Sequence, residues 1–135
     1  MFHVKIVTPK GLYEELDATI LNVVTPDGMR GILSNHMPLV TMIDIGRMSI
    51  GNEQSNPPYR YEYATGKGTL YFKDNYATVL VDTIEKSDDI DLARAQEALQ
   101  RAEERLHRIN DKNIDMERAR RAHRRAKNRI KIKTN

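Results

Sequence analysis

The sequence predicts an all-β N-terminal sandwich of two small antiparallel sheets, followed by a C-terminal antiparallel α-helical hairpin. Three observations predict it: a strand-like alternation of apolar and polar residues up to about Ile84, turn residues recurring through that half, and a switch to helical spacing after Ser87. The division this implies is a β-domain over residues 1–84 and a helical hairpin over 85–135. A chain of 135 residues is long enough for one small domain with its own core plus an appendage that needs little core of its own.

Strands are predicted at Phe2 to Val7, Ala18 to Thr25, Gly31 to Leu33, Leu39 to Ile43, Gly46 to Ile50, Tyr59 to Ala64, Thr69 to Phe72 and Ala77 to Val81. Each is rich in β-branched and aromatic residues, which suit a pleated, half-buried surface. Pro26-Asp27-Gly28, the polar loop from Asn52 to Pro58, Gly66-Lys67-Gly68 and Lys73-Asp74-Asn75 separate them, with residues that fix a turn or tolerate positive φ. Connections this short predict antiparallel pairing. In the second half, Leu92, Ala95, Leu99, Ala102, Leu106 and Ile109 form one apolar seam at spacings of three and four. Asp88 or Asp89 would cap that helix, Asn110 to Asn113 would end it, and Ala119, Ala122, Ala126 and Ile130 would form a second seam. Alanine facing leucine lets the helices approach closely while burying little area, which permits the hairpin to move as well as to stay packed.

The net charge of +3 hides an asymmetry. Residues 1–84 carry 7 Lys/Arg against 9 Asp/Glu, whereas residues 85–135 carry 15 against 10. Nine basic residues and no acidic one lie between Arg118 and Lys133, a density suited to an anionic partner or an acidic surface. The chain has no cysteine, and so no disulfide framework or thiolate nucleophile. It has no apolar run long enough to cross a bilayer, and its opening residues lack a signal-peptide core, so a soluble protein facing the cytoplasm is expected.

Catalytic motifs do not accumulate. Thr65-Gly66-Lys67-Gly68-Thr69 lacks the glycine and the Ser/Thr that a phosphate-binding loop requires, with Tyr61 and Gly68 at those positions, and reads as a hairpin turn. His3, His36, His107 and His123 lack metal-ligand spacing, so no metal is expected, and His36 reads as a structural residue bonding the backbone. No Ser/His/Asp set or carboxylate pair stands out, so the chain is expected not to be an enzyme. The arginines are more regular: Arg94 and Arg101 are two turns apart on the first helix, and Arg125 and Arg129 one turn apart on the second. Facing guanidinium forks could clamp a phosphate chain, with Glu85 and Asp91 supplying polar contacts, or the same residues could form a solvated charged face with Glu97, Glu103 and Glu104.

Three stretches resemble the epsilon subunit of F-type ATP synthases. The opening His3-Val4-Lys5-Ile6-Val7-Thr8-Pro9-Lys10-Gly11 with Tyr13 is similar to the family's first strand and turn. Gly31-Ile32-Leu33-Ser34-Asn35-His36-Met37-Pro38-Leu39 resembles its Gly-Ile-Leu-x-x-His-x-Pro-Leu segment. Ile90-Asp91-Leu92-Ala93-Arg94-Ala95 matches a nucleotide-binding signature, Ile/Leu-Asp-x-x-Arg-Ala, and Arg125-Ala126-Lys127-Asn128-Arg129-Ile130 resembles the closing Arg-Ala-x-Asn-Arg-Leu. The segment Gly66-Lys67-Gly68-Thr69-Leu70-Tyr71-Phe72 departs from the family's Gly-Gly-x-x-Glu-Val.

The resemblance implies a non-catalytic rotor subunit of the central stalk. Its sandwich would dock on the gamma subunit and the c-ring, and its hairpin would either fold against the sandwich or rise toward the alpha and beta subunits and inhibit ATP hydrolysis. It further implies no required cofactor, a regulatory ATP site formed by Glu85, Ile90, Asp91, Arg94, Ala95, Arg101, Arg125 and Arg129, and a peripheral location on the cytoplasmic side of the cell membrane. The alternative from another class is a basic nucleic-acid-binding module in which the helix from Arg118 to Lys133 tracks phosphates with strong salt dependence.

Overall fold

A computed structural model describes residues 1–56, 58–108 and 111–134. Ten strands form two five-stranded sheets: β1 (Phe2–Thr8), β2 (Gly11–Ala18), β3 (Ile20–Thr25), β4 (Gly28–Leu33), β5 (Leu39–Ile43), β6 (Gly46–Gly51), β7 (Tyr59–Thr65), β8 (Gly68–Lys73), β9 (Tyr76–Val81) and β10 (Ile84–Lys86). The first sheet has the order β2-β1-β9-β8-β5 and the second β10-β7-β6-β3-β4. A 3-10 turn at Ser87–Asp89 leads into α1 (Leu92–His107), and α2 (Met116–Thr134) returns antiparallel-fashion over the second sheet.

Period-two alternation builds the core. Phe2, Val4 and Ile6 of β1 point inward together with Leu21 and Val23, Met48 and Ile50, Leu70 and Phe72, and Ala77, Val79 and Val81. The Phe2 and Phe72 rings meet edge to face at 5.4 Å, an arrangement favoured by the ring quadrupoles. The β8–β9 hairpin turns through Asp74 and Asn75 at φ 51° and 60°, and the β3–β4 hairpin through Gly28 at φ 117°, as their sequences predict.

Several expectations change. The stretch from Ala18 to Thr25 divides at Thr19, whose backbone N–H bonds the Gly51 carbonyl at 3.0 Å, so β2 and β3 belong to different sheets. β2 itself escaped the sequence pattern because its outer face carries Glu15 and Asp17 in solvent, and β10 because it is three residues long. Pairing is antiparallel except between β1 and β9, which run parallel from His3↔Tyr76 to Val7↔Leu80; the chain reaches β9 only after visiting the other sheet, so no short connection constrains their direction.

Gly66 and Lys67 do not close a hairpin, because β7 and β8 lie in different sheets. They carry the chain across, with the Gly66 N–H bonding Thr83 O (2.9 Å) and Lys67 O accepting from the Asp82 N–H (2.9 Å). A Cβ at Gly68 would lie 1.8 Å from the Leu80 carbonyl oxygen, so only glycine allows this approach.

At the hairpin, Asp91 rather than Asp88 or Asp89 caps α1: its carboxylate accepts the Arg94 N–H at 3.2 Å, while Asp88 and Asp89 are taken up in the 3-10 turn. Asp115 caps α2 by accepting the Arg118 N–H at 3.1 Å. The fully buried seam residues are alanines on both helices, Ala95 and Ala102 on α1 and Ala119 and Ala126 on α2, with Leu92, Leu99, Leu106 and Ile130 only half-buried. Ile109 and Asn110, assigned by the sequence pattern to the end of the first seam and the break after it, lie outside the described residues.

Candidate functional site

α2 lies on the outer surface of β7 and β6, and the join is mostly polar. Its apolar part is one small cluster, Ala64 of β7 with Ile90 and Ile132. Around it, the Arg129 Nε donates to Glu85 Oε1 (2.8 Å), Arg124 Nη2 to Asp44 Oδ2 (3.0 Å), and Asn128 Nδ2 to the Gly46 carbonyl (2.9 Å). Lys133 Nζ reaches the Ser87 and Asp88 carbonyls at 3.4 and 3.3 Å. Burial works against ionisation of Asp44, but the Ile45 N–H and the Arg124 guanidinium outweigh it and hold the carboxyl below its ordinary value.

Beside the cluster is a cleft of about 330 Å³ between the sheet and both helices, lined by Thr65, Thr83, Glu85, Ala98, Ala122, Arg125 and Arg129 among others. Of the eight residues implied by the resemblance, the fold brings Glu85, Arg125 and Arg129 together at this cleft. Ile90 is in the apolar cluster, Ala95 is buried on α1, and Asp91 is the helix cap. Arg94 and Arg101 have exposed side chains and are not among the lining residues. Asn128, Asp44 and Arg124 were missed by the sequence-based set. The spacing of Arg124 and Asn128, one turn apart, would have placed them on one stripe with Arg125 and Arg129, but their partners are remote in sequence.

A second polar join closes the sandwich where the hairpin departs. Glu14 of β2 accepts from the Tyr63 hydroxyl (2.5 Å) and from Lys86 Nζ (2.9 Å), crossing from one sheet to the other. Burial and the Glu14 carboxylate both push the Tyr63 phenol well above its ordinary value, so it remains a donor. His36, by contrast, donates from Nδ1–H to the Met37 carbonyl (2.7 Å), and its ring meets Phe72 edge to face.

The opposite face of the sandwich is unlike the hairpin side. On the outer surface of the first sheet, Val40 (67% exposed), Met42 (63%), Tyr71, Tyr76 and Leu80 present apolar groups to solvent. Pro38, Leu39, Val40, Tyr71 and Tyr76 line a cleft of about 520 Å³ there. Contiguous exposed apolar surface of this kind is characteristic of a docking face.

A ten-stranded sandwich with a polar-latched helical hairpin on one face and bare apolar surface on the other defines a two-part β-sandwich and helical-hairpin protein. Two family descriptions match in tandem: "ATP synthase, Delta/Epsilon chain, beta-sandwich domain" over residues 1–87 and "ATP synthase, Delta/Epsilon chain, long alpha-helix domain" over residues 88–134. The chain belongs to the ATP synthase delta/epsilon chain family. It is 36% identical to the ATP synthase epsilon chain of Lactobacillus helveticus over 134 residues, covering 98% of this chain and 92% of that one. To the epsilon chain of Lacticaseibacillus casei it is 38% identical, covering 99% and 94%. The fold is shared with a chain of the Euglena gracilis mitochondrial ATP synthase OSCP/F1/c-ring structure (TM-score 0.74, 15% identity, 92% of this chain and 76% of that one). It is also shared with one in the Tetrahymena thermophila mitochondrial ATP synthase central stalk and c-ring (0.61, 15%, 98% and 93%).

Proposed function

We propose that this chain is a non-catalytic rotor subunit of the central stalk of an F-type ATP synthase, with the hairpin as its regulatory arm. The observation that carries the reading is the contrast at the hairpin join: a well-packed sandwich holds the hairpin through one cluster of three apolar residues and a set of polar latches. Such a join releases without disturbing the core. The exposed apolar face of the first sheet supports docking on the gamma subunit, and the c-ring is the second rotor contact, in keeping with the assemblies that contain the structural neighbours. The hairpin, once raised, meets the alpha and beta subunits with its basic segment and inhibits ATP hydrolysis. The subunit is peripheral to the cell membrane on its cytoplasmic side, held through the complex; no described helix is long and apolar enough to cross a bilayer.

ATP is the proposed regulatory ligand, held by Glu85, Ile90, Asp91, Arg94, Ala95, Arg101, Arg125 and Arg129. Arg125 and Arg129 at the cleft support a phosphate-binding role, and binding there stabilises the folded hairpin only to the extent that ATP prefers that state. Arg94 and Arg101 must swing in from their exposed positions to complete the clamp. The test has two arms. In a reconstituted synthase, deletion of residues 88–135 leaves assembly intact and raises ATP hydrolysis; loss of assembly refutes the division of roles. In calorimetric titrations of the whole chain, saturable ATP binding is abolished by Arg94→Ala and by Arg125→Ala, and unchanged affinity in the folded variants refutes the clamp.

A further inference from the structure

The outer face of the first sheet carries a row of side chains set by strand register. Asp17 of β2 is opposite His3 of β1, His3 is opposite Tyr76 of β9, and Tyr76 is opposite Lys73 of β8. The next row begins with Glu15 opposite Lys5. Because Phe2, Val4 and Ile6 point into the core, His3 and Lys5 point out, and Glu15 and Asp17 share their face. His3 Nδ1 lies 3.0 Å from Asp17 Oδ1 and Nε2 lies 3.0 Å from Glu15 Oε1. The ring is tilted against Tyr76 at 5.1 Å, and the His3 backbone N–H is fixed on the Asn75 carbonyl.

This geometry selects one protonation state. Ionised carboxylates only accept hydrogen bonds, and a neutral imidazole has a single N–H. A neutral ring would therefore set one nitrogen lone pair against a carboxylate oxygen at 3.0 Å. Only the imidazolium satisfies both contacts. We propose that His3 is a pH-sensitive tie that, when protonated, fastens the edge strand β2 to β1 and releases it on deprotonation.

β2 is the terminal strand of its sheet and pairs with β1 alone, so the tie acts at a sheet edge, on the face opposite the Glu14 bonds to Tyr63 and Lys86. The groups that face it are Glu15 and Asp17 on β2, Lys5 on its own strand, and Tyr76 on β9, with Lys73 beyond the tyrosine. With His3 charged, Glu15, Asp17, His3 and Lys5 form a neutral quartet. Without that proton the quartet carries one net negative charge at the border of the exposed apolar face that includes Tyr76. The two hydrogen-bonded carboxylates raise the His3 pKa above 6.5, against a smaller opposing effect of burial. A raised folded-state value means the stabilisation is complete below the unfolded value and is lost as pH rises through the folded one.

The test is a pH titration of the whole chain followed by NMR at the His3 ring and by hydrogen exchange at β2. His3 is expected to titrate above 6.5, with both ring nitrogens protonated at the start. Asp17→Asn and Glu15→Gln each lower its pKa, and the double variant returns it to about 6.5. Protection of the β2 amides, corrected for intrinsic exchange, falls through the same pH range in the wild-type chain and stays flat in His3→Gln. Titration at or below 6.5 in the wild type overturns the proposal, as does a pKa that neither carboxylate substitution moves. Identical pH dependence of β2 protection in wild type and His3→Gln overturns it as well.

Discussion

The sandwich closes over side chains from nine of its strands, including Phe2, Tyr63, Leu70 and Phe72, all essentially removed from solvent, whereas the hairpin is zipped by alanines and docked through Ala64, Ile90 and Ile132. Apolar area removed from water contributes ~25 cal/mol per Å², so large residues meeting at a shared centre outweigh methyl groups meeting along a line. The helices compensate with local sources of stability: side-chain caps at Asp91 and Asp115, good helix formers, and basic residues in the last turns. A helix stabilised locally keeps its form when its packing partner changes. The comparison teaches that one chain can combine a part that must not move with a part that can, by dividing long-range from local stabilisation.

The comparison breaks most visibly at Phe72. Its ring touches Phe2 and His36 and is almost wholly buried, so Phe72→Ala leaves a cavity and is expected to cost ~3–5 kcal/mol. Denaturant unfolding followed by tyrosine fluorescence should show the midpoint fall for the whole sandwich. At the hairpin, Ile132→Ala removes most of the small docking cluster and should cost about 2 kcal/mol of local stability. Hydrogen exchange should quicken across α2 while β1, β8 and β9 keep their protection. An equal loss of protection in both parts would show one cooperative unit and end the distinction.

The sandwich was legible in the sequence wherever one face of a strand is buried, because β1 and β9 alternate cleanly and Asp74-Asn75 marks its own turn. It was illegible where a strand's exposed face dominates its composition, as in β2, and where pairing depends on remote chain, as in the parallel β1–β9 contact. The same distinction applies to the candidate site. Arg125 and Arg129 could be placed on one side of a helix by spacing alone, whereas the ion pair of Arg129 with Glu85, 44 residues away, could not be read from spacing. The Asn128 bond to the Gly46 carbonyl left no trace, since a backbone acceptor has no residue type to announce it. Asp91 shows the converse: a residue implied at a ligand site is also a helix cap, and its sequence position suits either task.

The smallest effect sharpens the comparison most, because it separates polar latching from apolar docking. Arg124 reaches Asp44 from a position nearly half exposed, so solvent screens the pair and Arg124→Ala should cost less than ~1 kcal/mol. Its signature is in the pH dependence. Asp44 has a folded-state pKa below its ordinary 3.8, so its contribution is present above that value and is lost as pH falls through the folded one. In the wild-type chain, α2 should therefore lose protection on the acid side beyond what Arg124→Ala shows, with added salt narrowing the gap between them. Ile132→Ala should weaken the docking yet preserve that acid-side difference, since it leaves the ion pair in place. A difference that vanished in Ile132→Ala would mean the pair forms only when the apolar cluster has already seated the helix, making the latch a consequence of docking instead of an independent support.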